Sequence, residues 1–130
     1  MPLAEDLVKR DFTAASTDRL WVSDITSIWT WEGWLYLAAV MDVHNREIVG
    51  WTLRERPTKD LVVDAHLKGI QSRRPEAGLI FHSDRGAQYA SLAVRDRLRH
   101  WRARQSMGGR KSCYDNAVPV EHYREAAQAL

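Results

Sequence analysis

The stretch from Leu20 to Ile28 constrains the fold of this chain most, because a single acid interrupts a run that is otherwise typical of a β-strand. Apolar and β-branched residues such as Val22, Ile25 and Thr26 favour a pleated, half-buried backbone. Asp24 lies in the middle of them. A buried carboxylate is costly unless it is paired. Asp24 therefore either caps a turn or hydrogen-bonds a neighbouring backbone amide, or it belongs to a functional site.

The next two apolar segments predict two further strands. Thr30 to Trp34 contains Gly33 and forms a hairpin turn, across which tryptophans pack. Leu35–Asp42 is almost continuously apolar, as expected of a central strand. Glu47–Leu53 alternates enough to be a third strand, so the first three strands form an antiparallel meander. We expect Asp42 to have a structural role and the six tryptophans of the chain to lie mostly in the core or in the hairpin.

The spacing of apolar residues then changes to that of a helix, at about Asp60 to Ser72. Leu79–Ser83 is a short strand that ends on Asp84, and a strand reached through a helix is usually parallel to an earlier strand. Leu92–Trp101 predicts a second, arginine-rich helix, and Gln105–Met107 a last short strand. The sequence thus predicts an α/β domain with a mixed sheet.

Composition excludes several classes of protein. The chain has 130 residues, of which 45% are hydrophobic and 28% charged, and no apolar run approaches the ~20 residues of a membrane helix. Cys113 is the only cysteine, so no internal disulfide forms, and no zinc-type Cys/His spacing occurs. Because no secretory segment is evident, we expect a cytoplasmic protein without a membrane partner.

Positive charge is concentrated in one segment. The formal net charge is only +2, but Arg95 to Lys111 contains seven Arg or Lys residues against Asp96 alone. Such a run is usually a solvated face. Beside a nucleic-acid enzyme it would instead contact phosphates, because basic side chains gain affinity by releasing counterions.

The two strand-associated acids predict a metal site. If the strand that ends at Asp84 pairs beside the strand that holds Asp24, the two carboxylates are neighbours. They repel each other unless a cation such as Mg²⁺, which prefers oxygen ligands, lies between them. Two such ions can activate a nucleophilic oxygen and stabilise the leaving oxygen in phosphoryl transfer. A third carboxylate would be needed, and Glu121 is the best candidate, ahead of Asp115 and Glu125.

Five motifs, in order, resemble the integrase-type catalytic core of bacterial insertion-sequence transposases, which belongs to the retroviral-integrase superfamily. The resemblance covers about Asp11 to Val118, and the motifs are Leu20–Thr26, Gly33–Ala38, Arg46–Trp51, His82–Tyr89 and Cys113–Ala117. It implies a ribonuclease-H-like fold, in which an antiparallel three-strand meander and parallel strands are flanked by helices. We expect an N-terminal arm over residues 1–18 and a catalytic core over 19–130 that is incomplete at its C-terminal end.

The resemblance also implies a reaction. Such cores use an Asp-Asp-Glu site with two Mg²⁺ or Mn²⁺ ions to cut DNA and to transfer the freed strand, in DNA transposition and integration. Asp24 and Asp84 match the first two acids, and Glu121 is the candidate for the third, so these three are the predicted catalytic residues and metal ligands. The implied partners are transposon ends, target DNA and further copies of the chain, at the bacterial nucleoid.

Five residues near these acids are candidates for DNA contact: Arg85, Gln88, Tyr89, Arg110 and Lys111. Gln88 and Tyr89 follow the second acid, where they reach either DNA or the attacking water. A role in starting the next helix explains them equally well. His82, at a strand end, is more often a structural residue than a ligand.

The third acid departs from the family pattern. Val120 occupies the position of the family glutamate, about thirty-five residues after Asp84, and Glu121 follows one residue later. One residue on a helix is a rotation of about 100°, although Pro119 in the first turn leaves room for a local bulge. The sequence after about Val118 also departs, as a shifted reading frame in a decayed element would produce.

Three functions therefore stay open at the level of sequence. The first is a polynucleotidyl transferase that uses Asp24, Asp84 and Glu121. The second is a catalytically inactive transposase remnant that only binds nucleic acid or a partner transposase. The third is a ribonuclease or resolvase that shares the fold.

Overall fold

The computed structural model describes residues 5–9 and 13–108. In this part of the chain it contains five strands and two helices: β1 (Leu20–Thr30), β2 (Gly33–Asp42), β3 (Ile48–Arg54), α1 (Lys59–Arg73), β4 (Ile80–Ser83), α2 (Leu92–His100) and β5 (Arg104–Met107). Each of these elements was predicted from the sequence, with ends that differ by one or two residues. No helix among the described residues is long and apolar enough to cross a membrane.

The strands form one mixed sheet in the order β3-β2-β1-β4-β5. β1, β2 and β3 are an antiparallel meander, whereas β4 is parallel to β1 and β5 is parallel to β4. The tight turn between β1 and β2 ends at Gly33, whose φ of 119° is accessible mainly to glycine. The α/β class and the predicted topology are confirmed, and β1 is the central strand.

Both helices pack on the same face of the sheet. The core there contains Trp21, Val40 and Phe81 from the strands, Leu61 from α1 and Leu98 from α2. A smaller apolar cluster on the opposite face joins Val8 of the N-terminal segment to residues of β1 and β2. The first described residues are thus packed on the sheet, although the domain boundary predicted at residue 18 stays a prediction.

The predicted structural role of Asp42 agrees with its surroundings at the end of β2. Its side chain is fully buried and accepts hydrogen bonds from the backbone N–H groups of Asp18 (3.0 Å) and His44 (2.9 Å). Arg73 lies 3.8 Å from the same carboxylate. These contacts tie the turn after β2 to the entry of β1 and to the end of α1.

Four of the six tryptophans lie in the core or in the β1–β2 hairpin, as predicted, but those of the hairpin are exposed. Only Trp21 is buried, whereas Trp29 and Trp34 are 65% and 52% exposed and Trp31 is fully exposed at the hairpin tip. Burial falls steadily along β1 towards this hairpin, because no described element packs over it. The predicted packing across the hairpin is confirmed, since the rings of Trp29 and Trp34 meet edge to face at 5.1 Å.

Candidate active site

The register of the two central parallel strands sets Asp24 and Asp84 side by side. β1 and β4 pair with Val22 opposite His82, and each acid follows its member of this pair by two residues. Side chains two residues apart point to the same face of a strand, and neighbouring strands lie about 4.8 Å apart. The two carboxylates therefore belong to the same face and the same level of the sheet, as the sequence predicted.

Asp24 is a half-buried acid with a raised pKa. Burial raises the pKa of its carboxyl group from 3.8 to about 6; the hydrogen bond from Ile25 opposes this rise and the negative charge of Asp84 adds to it. Asp24 Oδ1 accepts the backbone N–H of Ile25 at 2.9 Å. The expected hydrogen bond between Asp24 and a neighbouring backbone amide is thus confirmed. A second acid, Asp84, is also close enough to act on Asp24 through its charge.

Asp84 is exposed at the end of β4 and is oriented by the loop that follows it. Its Oδ1 accepts the backbone N–H of Gly86 at 2.8 Å. A Cβ atom on residue 86 would lie 2.9 Å from this oxygen and 3.2 Å from Gln88 Oε1. Glycine at position 86 therefore lets the carboxylate and the loop approach each other closely.

Three long-range hydrogen bonds hold the loop between Asp84 and α2. The hydroxyl groups of Tyr89 and Ser23 lie 3.0 Å apart, which joins the loop to β1 next to Asp24. Gln105 donates to the Tyr89 carbonyl at 2.8 Å, and Gln88 donates to the Pro57 carbonyl at 2.9 Å. Sequence analysis missed Ser23 and Gln105, because no local pattern links them to partners 66 and 16 residues away.

The predicted DNA-contacting residues of this loop have different surroundings. Arg85 is exposed and Gln88 is half-buried beside Asp84. Tyr89 is only 2% exposed, and burial raises the pKa of its phenol well above 10.0. A side chain enclosed between β1 and the loop cannot touch DNA directly, so the prediction of contact gives way to a supporting role for Tyr89.

His82 is a buried residue of β4, two positions before Asp84. One ring nitrogen, Nδ1, is 2.8 Å from Ser106 Oγ, and that oxygen accepts the backbone N–H of Leu7 at 2.8 Å. Burial lowers the pKa of its imidazole, while Asp6 and Asp84 act in the opposite direction. These contacts agree with the structural role expected for a histidine at a strand end.

The remaining predicted site residues lie outside the described part of the chain: Glu121, Arg110, Lys111, Asp115 and Glu125. Among residues 5–9 and 13–108, no group of three or more His, Cys, Asp or Glu side chains is placed to hold a metal ion. The described site is thus a pair of carboxylates.

This pair suits a hard divalent cation. Each acid uses Oδ1 to accept a backbone N–H and has no described hydrogen-bond donor at Oδ2. Burial and, to a smaller extent, the charge of Asp84 raise the pKa of Asp24, so both disfavour its charged form. Carboxylate oxygens are the ligands that Mg²⁺ and Mn²⁺ prefer, so a cation held by both acids would stabilise that charged form.

Comparison with known proteins identifies relatives along most of the chain. The family model described as "Integrase core domain" matches residues 14–113. An uncharacterized 31 kDa protein of insertion element IS600 from Shigella sonnei is 42% identical over 123 residues, and the transposase InsF of insertion sequence IS3A from Escherichia coli K12 is 39% identical over 117. These matches cover 95% and 90% of this chain but only 45% and 41% of the relatives, so the chain spans less than half of their length.

Solved structures share the fold at low sequence identity. The chain of a simian T-cell lymphotropic virus intasome structure superposes with a TM-score of 0.73 at 16% identity, over 98% of this chain and 42% of that one. The HTLV-2 integrase catalytic core domain, solved with magnesium in a dimeric form, gives 0.65 at 16% identity, over 72% and 63% of the two chains. The expected ribonuclease-H-like fold is therefore confirmed.

Proposed function

The chain belongs to the integrase core domain family of insertion-sequence transposases, and on that premise we propose that it carries a metal-dependent site for DNA strand cleavage and transfer. The observation that supports this most directly is the parallel pairing of β1 with β4, which brings Asp84, just after β4, close enough to Asp24 for its charge to raise the pKa of Asp24. Two neighbouring acids are costly without a function, because their charges oppose each other.

Asp24 and Asp84 would hold the cation, with Glu121 as the proposed third ligand. A bound Mg²⁺ or Mn²⁺ supplies Lewis acidity at the phosphate and lowers the pKa of a nucleophilic water or hydroxyl group. Residues of this chain would position the cation by fixing the carboxylates that hold it. Ile25 and Gly86 fix one oxygen of each acid through their backbone N–H groups, and the Tyr89–Ser23 hydrogen bond fixes the loop relative to β1.

DNA is the proposed substrate, and the family supports this class of ligand. Arg85 and Gln88 lie beside Asp84 in the described loop, where they would contact a scissile phosphate or its neighbours. Arg110 and Lys111 are proposed contacts from the segment after β5. The HTLV-2 integrase catalytic core domain was solved with magnesium in a dimeric form, and we propose a homo-oligomer for this chain as well.

The first test is calorimetric titration with Mn²⁺ at neutral pH, on the unmodified chain and on Asp24→Asn. We expect the unmodified chain to bind Mn²⁺ and Asp24→Asn to lose that binding, because half of the described carboxylate pair is gone. Asp96→Asn, which also removes one negative charge but lies on α2, is the control and should bind normally. Equal Mn²⁺ binding by Asp24→Asn and the unmodified chain would contradict the proposal.

The second test separates an active core from an inactive remnant. Nicking of supercoiled plasmid DNA in Mn²⁺ is measured for the unmodified chain, for Asp84→Asn and for Glu121→Gln. We expect nicking by the unmodified chain alone. Nicking that survives in Glu121→Gln would remove Glu121 from the site, and a chain that binds Mn²⁺ but never nicks DNA would support the alternative, a remnant that only binds nucleic acid or a partner transposase.

A further inference from the structure

The outer edge of the domain, at α2 and β5, carries a row of arginines that the proposed metal site does not use. Arg95 and Arg99 lie on α2, Arg102 in the turn after it, and Arg104 at the start of β5. The last three are exposed and Arg95 is half-buried. We refer to these four residues as the α2–β5 arginine row.

Helix geometry shows that this row faces away from the body of the domain. α2 packs inwards through Val94 and Leu98. Arg97 approaches His66 on α1 closely enough for its charge to lower the pKa of that histidine, so Arg97 marks the flank of α2 that faces α1. Arg95 and Arg99 are each two residues, or about 200°, from Arg97, which puts both on the opposite flank.

The opposite flank is the one nearest the free edge of the sheet. α1 packs over β3 and β2, while α2 packs against β5, which is the last strand on its side. β5 pairs only with β4 among the described strands, and it meets the N-terminal segment at its far end, where Met107 donates to the Glu5 carbonyl and Ser106 accepts from Leu7. The arginine row therefore borders a sheet edge to which no further described strand is added.

The charges of this row are not neutralised within the described part of the chain. Ion pairs there involve Arg54 and Arg73 and none of the four arginines. Asp96 is the only acid of α2 and β5. Arg95 and Arg99 are one helical turn apart, about 6 Å along the axis, so their guanidinium groups present a regular row of positive charge.

We propose that the α2–β5 arginine row is a second DNA-binding surface, which holds a duplex by its phosphate backbone at this edge of the domain. Duplex DNA is the occupant that fits, because it offers a long, regular array of negative charge, and guanidinium groups bind phosphates with two parallel hydrogen bonds. Contacts to phosphates carry no sequence information, so we expect this binding to be independent of sequence. This inference rests on the proposed DNA-handling function and adds where a duplex lies on the domain.

The test measures the binding of a short, labelled DNA duplex of mixed sequence in the presence of EDTA. Binding is detected by the fluorescence anisotropy of the label. The variant Arg95→Gln/Arg99→Gln/Arg104→Gln is compared with Arg46→Gln/Arg54→Gln/Lys68→Gln. The control triple removes the same charge from the opposite, β3 edge, where Arg46 precedes β3, Arg54 ends it and Lys68 lies over Trp51. Arg102 is kept so that the two triples remove equal charge.

We expect the α2–β5 triple to lose at least about tenfold in affinity at low salt, and its slope of log K against log salt to become less negative by about 2.7 units. The control triple should keep the affinity and slope of the unmodified chain. Equal losses in the two triples, or an unchanged slope in the first, would overturn the proposal. Because EDTA removes divalent ions, failure of the metal proposal would leave this result unaffected.

Discussion

At the scale of single residues, His66 is a buried polar side chain whose burial costs folding free energy, because its ring nitrogens lack hydrogen-bond partners among the described residues. It is 2% exposed on α1, between the rings of Trp21 and Phe81, and neither ring nitrogen has a hydrogen-bond partner in the described structure. Burial lowers the pKa of His66 from 6.5 to about 4, and the charge of Arg97 acts in the same direction. The folded protein therefore holds this histidine neutral, while the unfolded chain protonates it near its ordinary pKa.

This difference predicts a loss of stability in acid. Because the pKa of His66 is depressed in the folded state, its contribution is intact above about pH 6.5 and falls between pH 6.5 and 4, where the unfolded chain binds the extra proton. The total is about 3 kcal/mol of unfolding free energy. The raised pKa of Asp24 acts in the opposite direction over the same range, because it stabilises the folded chain as the pH falls through about 6. The contribution of His66 is therefore the difference in pH dependence between the unmodified chain and His66→Leu, measured by urea unfolding from pH 7 to pH 4 with circular dichroism.

His66→Leu provides the comparison, since it removes both unpaired nitrogens at similar volume. We expect this variant to be at least as stable as the unmodified chain at pH 7, by roughly 1 kcal/mol, and to lose less stability in acid. An unchanged pH dependence in His66→Leu would show that other groups cause the acid sensitivity.

The hydrogen bond between Tyr89 and Ser23 is the second residue-scale feature with a measurable effect. Removing a buried bond of this kind typically costs about 1 kcal/mol. We expect Tyr89→Phe to lower the unfolding free energy by that amount and to weaken Mn²⁺ binding, because the loop that carries Asp84 is no longer fixed to β1. A double-mutant cycle with Ser23→Ala isolates the pair, and additive effects would mean that the two hydroxyl groups do not interact.

At the scale of elements, the contact between α1 and β3 depends on two facing glycines. A Cβ atom on Gly50 would overlap the Ala65 carbonyl and lie 2.6 Å from the backbone nitrogen of Gly69. Both neighbours are backbone atoms, so the overlap cannot be relieved by turning a side chain. The helix must either move away from the sheet or distort.

We therefore expect Gly50→Ala to destabilise the domain by more than about 3 kcal/mol, at the upper end of the cost of overpacking. Gly78→Ala is the control. Gly78 has a φ of 97° but nothing within 4 Å of its Cβ position, so its cost is conformational, about 1 kcal/mol. Thermal unfolding compares the two variants, and similar losses would contradict a steric origin.

The elements themselves were largely predictable from the sequence, and the reasons are physical. The strand period around β1 to β3, the helical period of α1 and the apolar run of β4 are local signals. The pairing of β4 with β1 followed from the connection through α1. By contrast, Ser23, Gln105 and Gly50 act through partners distant in sequence, which no local pattern reveals. The exposure of the hairpin tryptophans was not predicted, because aromatic character predicts a strand without telling whether anything covers it.

At the scale of the whole molecule, the exposed tryptophans of the β1–β2 hairpin set its spectroscopic behaviour. Five of the six tryptophans are at least 36% exposed, and only Trp21 is enclosed. We expect acrylamide to quench most of the tryptophan emission of the folded protein. Trp31→Ser should have an unfolding free energy within about 0.5 kcal/mol of that of the unmodified chain, because the side chain at the hairpin tip is fully exposed. A larger loss would mean that Trp31 is covered in solution.

The parallel pairing of β1 with β4 also has a consequence for how the domain is built. The two acids are sixty residues apart in the chain, and β2, β3 and α1 all lie between them. Such non-local pairing slows folding, because the loop must close before the contact forms. A newly made chain therefore holds no carboxylate pair until β4 has docked on β1, so the proposed metal-binding capacity would appear only after that folding step.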